Sequence, residues 1–271
     1  MRHLFGAAIV LALLSACASS PTGRSQLMIV PESTAISASQ QAYRNQLAPY
    51  ARAGRLDNDP ALKARVDRIT SRLVAQAVRM RPDTEGWAWS IKILDDPKTV
   101  NAWAMAGGKM ALYTGLVLQI EPSDDELAQV LGHEIAHALA KHTAEKMSVA
   151  LATQLGVAAL ALGTGSQTAG AAGALAASLA IELPYSRTAE SEADRIGIEL
   201  AAKAGYDPRA AVSLWRKMAR VGDGKAPPQF LSTHPSPSTR IEELAAIAPK
   251  MLPYYEQARQ SRPPEYRLQN S

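Results

Sequence analysis

Hydrophobic residues recur at helical spacing in two segments of the first half of the chain. The first segment follows a capping Asp59 and a first-turn proline, and its apolar stripe is Leu62, Val66, Ile69, Leu73 and Ala77. The second follows Ser123, which forms a capping box with Glu126, and its stripe is Leu127, Val130, Leu131, Ile135, Ala138 and Leu139. We expect this second helix to run from Asp124 to about Met147.

Between these two helical segments, polar and apolar residues alternate in three runs, and this alternation predicts strands. The three runs are Trp87–Leu94, Val100–Met105 and Lys109–Tyr113, with Gly107-Gly108 as the turn between the last two. Further helices are predicted after Ser33, around Glu190 as far as Gly205, from Asp207 to about Val221, and after Ser236 with an interruption at Pro249. The pattern therefore predicts an α+β fold that is mostly α, with a small antiparallel sheet.

The start of the chain has the pattern of a leader segment. A short basic region is followed by the apolar run Leu4–Leu14, and Leu14-Ser15-Ala16-Cys17 resembles a bacterial lipobox in which the cysteine is acylated. Residues 1–16 are thus predicted to be a lipoprotein signal peptide, and residues 17–30 a lipidated N-terminus that is flexible from Ala18 to about Gln26. A plain signal peptide with an incidental cysteine is the alternative. Residues 31–260 are expected to form one domain and residues 261–271 a polar tail.

Composition adds limits to this picture. The formal net charge of +4 is too small to indicate a nucleic-acid partner. Basic residues gather between Arg44 and Arg81, either as a solvated helical face or through attraction to an anionic membrane surface. The uncharged stretch 147–181 is split by Gly163–Gln167 into halves too short to span a bilayer. We expect it to extend the second helix and then to continue as a segment beside a cleft.

His133-Glu134-Ile135-Ala136-His137 carries the most specific chemistry in the sequence. On a helix, the two histidines lie at i and i+4 on one face, where two imidazoles can bind a single zinc ion. Glu134 flanks the pair, in the position of a general base for hydrolysis. The alternative is that both histidines are ordinary polar residues of an amphipathic helix.

A catalytic zinc ion needs a third protein ligand. Glu190 and Asp194 are again four residues apart on a predicted helix, so that one carboxylate can bind the metal while the other receives an imidazole N–H. A solvated acidic helix face is the alternative for this segment when it is considered by itself.

These segments together resemble a known family. The motif His133–His137 followed by Glu190-x-x-Ala193-Asp194 is similar to the HtpX-like branch of the gluzincin metallopeptidases, relatives of the CAAX prenyl protease. Asn101–Gly115 resembles the strand pair before the zinc helix, and Thr233–Ile241 the late His-Pro segment, so the similarity covers about residues 25 to 250.

The resemblance implies a role for each matching residue. One zinc ion per chain would be bound by His133, His137 and Glu190, with Glu134 as the base and Asp194 as the carboxylate behind a ligand. The strand residues that would pair with an extended peptide substrate are Asn101, Ala102 and Trp103.

His234 and Arg240 complete the residues carried by the resemblance. In the family, a His and an Arg at this spacing face the metal and stabilise the oxyanion. His234 lies in a predicted loop, so it could instead bind the open zinc position and act as a self-inhibitory latch. The two possibilities stay open at the level of sequence.

The function implied is a zinc endopeptidase that hydrolyses unfolded or misassembled envelope proteins. Cys17 would anchor it by lipid to the bacterial outer membrane, facing the periplasm. Its partners would be polypeptide substrates and the membrane, without nucleic acid, and its oligomeric state is open. The alternative is a non-catalytic, chaperone-like lipoprotein that uses zinc only for stability, although such a protein has no need for Glu134.

Overall fold

The structure, a computed structural model, describes residues 17–163, 184–221, 229–235 and 239–269. Its strands are β1 (Cys17–Ser19), β2 (Ser25–Leu27), β3 (Ser90–Leu94), β4 (Ala102–Met105) and β5 (Lys109–Tyr113). Its helices are α1 (Glu32–Arg52), α2 (Pro60–Met80), α3 (Thr114–Ile120), α4 (Asp124–Leu139), α5 (His142–Gly163), α6 (Arg187–Lys203), α7 (Ala210–Val221), α8 (Gln229–Thr233) and α9 (Arg240–Gln260). The predicted fold class, mostly helical with small sheets, is confirmed.

Helix α4 lies at the centre of the core. All of its residues from Glu126 to Leu139 are buried, and it packs against α2, α6, α7 and β4. The predicted capping box is present, because the Ser123 hydroxyl accepts from Glu126 N at 3.2 Å and Glu126 Oε2 accepts from Ser123 N at 2.9 Å. This cap fixes where the helix begins, and therefore which of its residues face the neighbouring helices.

The larger sheet has the order β3-β5-β4. Strands β4 and β5 form the predicted antiparallel hairpin, with positive φ values of 86° at Gly107 and 83° at Gly108 in the turn. Strand β3 pairs with β5 in the parallel direction, so the sheet is mixed and not wholly antiparallel. In the described part of the chain, β4 is an edge strand, which leaves its outer side facing α4 and the cleft beside it.

Two helix predictions need correction. The helix that begins at Asp124 ends at Leu139 and not near Met147, because Lys141 adopts a left-handed conformation with φ of 58° before α5 begins at His142. Helix α9 continues through Pro249 and Pro253, although each proline removes a backbone hydrogen bond. Its buried face, which packs on α6 and α7, keeps the helix together.

The N-terminal segment predicted to be a flexible tether is folded. Strands β1 and β2 pair in antiparallel register, with Cys17 opposite Leu27 and Ser19 opposite Ser25. We call residues 17–27 the N-terminal hairpin. The predicted signal peptide, residues 1–16, lies outside the described residues.

The apolar stretch 147–181 is described only in part. Helix α5 covers it as far as Gly163, and residues 164–183 lie outside the described residues. Within the described helices, none combines the length and the hydropathy that a membrane crossing requires. The predicted polar tail contacts the core as far as residue 269, since Tyr266 N donates to Ser71 O at 3.1 Å and Gln269 N to Trp89 O at 2.7 Å.

Candidate metal centre

His133 and His137 lie one turn apart on the buried face of α4. Both side chains are almost fully buried, and their Nε2 atoms are 3.0 Å apart. Their rings meet edge to face with centroids separated by 4.7 Å. Two imidazole nitrogens thus converge on one point, as the helical spacing of the motif predicts.

Glu190 brings a carboxylate to the same point from α6. Ser186 caps this helix by accepting from Ala189 N at 3.1 Å, and Glu190 lies in the first turn. Its Oε2 atom is 3.3 Å from His133 Nε2 and its Oε1 atom is 3.3 Å from His137 Nε2. Glu190 has no exposed surface, so its carboxylate is available only to the buried groups around it.

His234 is the fourth donor. Its Nδ1 atom lies 3.0 Å from Glu190 Oε1 and 3.3 Å from His133 Nε2, and its ring stacks on Phe230 at 4.5 Å. One donor atom from each of His133, His137, Glu190 and His234 lies within 4.8 Å of the others. Four ligands at zinc–nitrogen and zinc–oxygen distances of about 2.0–2.1 Å would be separated by about 3.3 Å in a tetrahedron. The donor spacing therefore fits zinc.

The electrostatics of two of the four donors, His137 and Glu190, favour a bound cation. Burial lowers the pKa of His137 well below its usual value, which favours the neutral, metal-binding imidazole. Burial would raise the pKa of Glu190, but the charge and N–H groups of the surrounding histidines hold it far below its usual range. Glu190 is therefore an anion in a buried site, where a bound cation would compensate its charge.

Glu134 lies outside the donor group, between the donor His234 and the sheet. Its Oε2 atom accepts from Ala104 N of strand β4 at 3.2 Å. Its Oε1 atom is 3.3 Å from His234 Nε2 but has no hydrogen-bond partner among the described residues. Burial raises the pKa of Glu134, which makes this carboxylate a stronger base than an exposed one.

Arg240 and Asp194 contact the donors His133 and Glu190. Asp194 Oδ1 is 3.0 Å from His133 Nδ1. The buried Arg240 guanidinium donates to Asp194 Oδ1 and to Glu190 Oε2, the latter at 3.2 Å, and its Cζ lies 3.5 Å from the Trp215 ring centroid. This position differs from the predicted one facing the oxyanion, because two carboxylates and an indole ring already engage the guanidinium.

A cavity of about 470 Å³ opens beside Glu134 and His234. Strand β4 forms one wall through Trp103 and Ala104, together with Asn101 just before the strand, whereas the Ala102 side chain is fully buried. Asn101 Oδ1 accepts from Ala102 N at 2.9 Å, which fixes the start of the strand. The edge strand, Glu134 and one of the four donors, His234, thus line one cleft.

Two residues near the four donors were not predicted from the sequence. The Tyr185 ring stacks on His137 at 3.9 Å, with Lys146 Nζ 3.7 Å from the Tyr185 centroid. His142 contacts His137 directly, with their Nδ1 atoms 2.8 Å apart. His142 follows a helix break at Lys141 that no glycine or proline marks, so the sequence carries no local signal for this contact.

A His-Glu-x-x-His helix with a glutamate ligand on a second helix is the site of a zinc metallopeptidase. The chain belongs to peptidase family M48, whose model matches residues 60–248. The family uses zinc, so the predicted enzyme class and cofactor are confirmed. The placement in the HtpX-like branch stays a prediction.

Curated relatives are similar over the same region. The mitochondrial metalloendopeptidase OMA1 of Arabidopsis thaliana is 39% identical over 164 residues, or 59% of this chain and 32% of that protein. OMA1 of Saccharomyces cerevisiae is 36% identical over 183 residues, or 64% of this chain and 51% of that protein. A putative beta-barrel assembly-enhancing protease of Vibrio cholerae is 36% identical over 195 residues, or 69% of this chain and 39% of that protein. The chain therefore spans about a third to a half of the length of these relatives.

These relatives correct the predicted localisation. The sequence by itself predicts a position at the bacterial outer membrane, facing the periplasm. That prediction is wrong, because several of the relatives, from plant, yeast and animal sources, are named mitochondrial proteases.

Proposed function

We propose that the chain is a zinc-dependent endopeptidase that hydrolyses unfolded or misassembled polypeptides. In this proposal His133, His137 and Glu190 bind one zinc ion, Glu134 is the base, and Asp194 and Arg240 orient the ligands. The observation that carries the proposal is the hydrogen bond of 3.2 Å from Ala104 N to Glu134 Oε2. It joins the base directly to the edge strand on which an extended substrate would lie.

The residues of the cleft divide the reaction between them. Zinc bound at the ligands would polarise the scissile carbonyl and lower the pKa of the attacking water. Glu134 accepts the proton of that water and delivers it to the leaving amine. Main-chain pairing of the substrate along Asn101–Ala104 supplies affinity with little demand on side chains. Such pairing favours chains that are locally unfolded, because only these can add a strand to the edge.

The position of His234 supports the latch over the oxyanion role. Its Nδ1 atom contacts both Glu190 and His133 within the donor group, which is the place of a fourth ligand and not of a substrate. In this proposal the structure is a closed form of the peptidase, and His234 leaves the metal when substrate enters.

The same closed donor set favours a second candidate. A zinc ion with four protein ligands is typical of structural sites, which suits the non-catalytic, chaperone-like alternative. The buried Glu134 favours the enzyme, because an unneeded buried carboxylate costs free energy.

Digestion of an unfolded substrate tests the proposal. The purified chain should cleave reduced casein, lose this activity in a zinc chelator, and regain it when zinc is restored. Casein that stays intact with the zinc-loaded chain and with its His234→Ala variant would favour the non-catalytic alternative. Cleavage that persists after zinc removal would contradict both the zinc-dependent endopeptidase and the non-catalytic alternative.

Acylation of Cys17 stays a prediction. A lipid on this residue would bring the chain into contact with a membrane. Cys17 begins β1, so a lipid there would hold the N-terminal hairpin close to a membrane surface. Mass spectrometry of the N-terminal peptide of the mature chain should show acyl groups on Cys17, and a Cys17→Ser variant should carry none. A mature N-terminal peptide with an unmodified Cys17 would remove the prediction.

A further inference from the structure

A helix break brings His142 back to the metal ligand His137. Helix α4 ends at Leu139, and Lys141 with φ of 58° turns the chain before α5 begins at His142. In a continuous helix, a residue five positions on would lie about 140° away around the axis and face another direction. Because the helix breaks, His142 Nδ1 lies 2.8 Å from His137 Nδ1, and both rings are buried.

The contact fixes where the protons lie. His137 Nε2 faces the metal donors, so the ring proton is on Nδ1 and is donated to His142 Nδ1. His142 must then carry its own proton on Nε2, which faces Glu192 Oε2 at 3.1 Å. The hydrogen bonds thus run from His137, the proposed metal ligand, to the imidazole of His142 and on to the carboxylate of Glu192. Zinc-binding histidines commonly donate to a carboxylate or a carbonyl, and this partner fixes the ring.

Glu192 is held in turn by the N-terminal hairpin. Its Oε1 atom accepts from the hydroxyls of Ser20 and Thr22, the latter at 2.5 Å, and its Oε2 atom accepts from Arg24 Nε at 2.7 Å. Glu192 itself is 4% exposed. A carboxylate buried to this extent needs such charge-assisted hydrogen bonds, and three of them come from one short hairpin.

The hairpin is also fastened to the start of α5. Arg24 binds Glu145 through two hydrogen bonds of 2.6 Å each. Gln26 Nε2 donates to Glu145 Oε2 at 2.8 Å and to Ala140 O, at the helix break, at 2.7 Å. The hairpin therefore holds both Glu192 and the turn that carries His142, although it lies more than 100 residues from either in sequence.

We propose that His142 and Glu192 are positioning residues for the zinc ligand His137, and that the N-terminal hairpin is part of the zinc centre because it holds this pair in place. The inference rests on the proposed assignment of His137 as a ligand. His133 is oriented by Asp194 directly, whereas His137 is oriented through an imidazole and a carboxylate that the hairpin fixes.

The rate of zinc loss tests the inference without any measurement of proteolysis. The zinc-loaded full chain is mixed with an excess of a colorimetric zinc chelator, and zinc transfer is followed over time. His142→Ala should release zinc about 10–100-fold faster than wild type, the usual effect of removing a group that orients a metal ligand. His142→Gln should recover part of this loss, because its amide can accept from His137 and donate to Glu192.

Arg24→Ala separates the role of the hairpin from that of His142. It should speed zinc release several-fold, and Thr22→Val should do so to a smaller extent. Arg65→Ala is the matched control, since it also removes a guanidinium from a carboxylate, Asp124, at a distance of 2.6 Å, but at the opposite end of α4. It should release zinc at the wild-type rate.

Each outcome decides a different part of the inference. Zinc release from His142→Ala and His142→Gln at the wild-type rate would overturn the positioning role. Equal acceleration by Arg24→Ala and Arg65→Ala would overturn the role of the hairpin. A His137→Ala chain that still binds zinc would contradict the proposed ligand set, which separates that failure from failure of this inference. Circular dichroism confirms that each variant is folded before its rate is compared.

Discussion

Gly197 lies directly against the backbone of His133. A Cβ atom on Gly197 would come within 2.8 Å of His133 N and 2.9 Å of its Cα, closer than such atoms approach in folded proteins. On the other helix, a Cβ atom on Gly132 would come within 2.8 Å of Gly197 O. Helices α4 and α6 can therefore cross at backbone contact, and this crossing brings the carboxylates of α6 to the histidines of α4.

Gly197→Ala should damage both stability and the metal site. The added methyl group must push α6 away from α4, which costs about 1–3 kcal/mol of unfolding free energy and moves Glu190 and Asp194 away from His133. Urea unfolding and zinc content measure the two effects. Gly86→Ala is the control, because a Cβ atom there meets nothing within 4 Å. A Gly197→Ala chain with wild-type zinc affinity would show that the close crossing does not position the ligands.

Glu134→Gln separates catalysis from metal binding. The amide keeps the size of the side chain but cannot accept a proton, and Glu134 is outside the four-donor group. We expect peptide hydrolysis to be abolished while about one zinc ion per chain is retained. His137→Ala and Glu190→Ala should lose zinc as well. Casein cleavage and metal analysis of the same preparations check both parts, and cleavage by Glu134→Gln at the wild-type rate would refute the catalytic proposal.

The sequence leads to most residues of the candidate metal centre because local helix geometry places them together. His133, His137 and the pair Glu190 and Asp194 each lie four residues apart on helices whose caps are readable from the sequence. His142 was missed because its contact depends on the left-handed backbone of Lys141, a residue type that rarely adopts it. The parallel pairing of β3 with β5 and the docking of the N-terminal hairpin were missed for a related reason. Both depend on contacts between distant segments, which periodicity does not report.

Arg240→Lys tests whether Arg240 orients the ligands or contacts the substrate. Lysine keeps the charge but cannot bridge Asp194 and Glu190 or stack on Trp215 as a planar guanidinium does. We expect zinc affinity to fall about 10–100-fold. Arg209→Lys, at an exposed pair with Asp207, is the control. Unchanged zinc affinity with a fall in kcat of about 10²–10³ would instead indicate an oxyanion role.

His234→Ala distinguishes the latch from the oxyanion donor. If the His234 ring occupies the fourth metal position, its removal opens the site, and cleavage of an unfolded substrate should rise while zinc stays bound by the other three ligands. Initial rates on reduced casein, with zinc content measured in parallel, give the answer. Thr233→Ala, which removes a hydroxyl bonded to helix carbonyls, should behave as wild type. A fall in kcat of about 10²–10³ at constant KM would show that His234 stabilises the oxyanion instead.

Lys146 should make stability depend on pH. Burial lowers the pKa of Lys146 to about 8, against weaker opposing effects of the Glu190 and Glu134 carboxylates. Below pH 8 the lysine is charged in both states, so the folded chain carries the full cost of a buried charge. Between pH 8 and about 10.5 the folded state loses the proton before the unfolded state does, and this cost disappears as the pH rises.

Lys146→Met removes the charge while keeping the length of the side chain. At pH 7 it should raise the unfolding free energy by about 1–3 kcal/mol, since one pKa unit corresponds to about 1.4 kcal/mol. At pH 9.5 the gain should shrink by about half or more, because wild-type Lys146 is then neutral in the folded state. Urea unfolding at both pH values measures the difference, with Lys203→Met, at a partly exposed ion pair with Glu199, as the control. A gain of the same size at pH 7 and pH 9.5 would mean that the buried charge of Lys146 is not its cause.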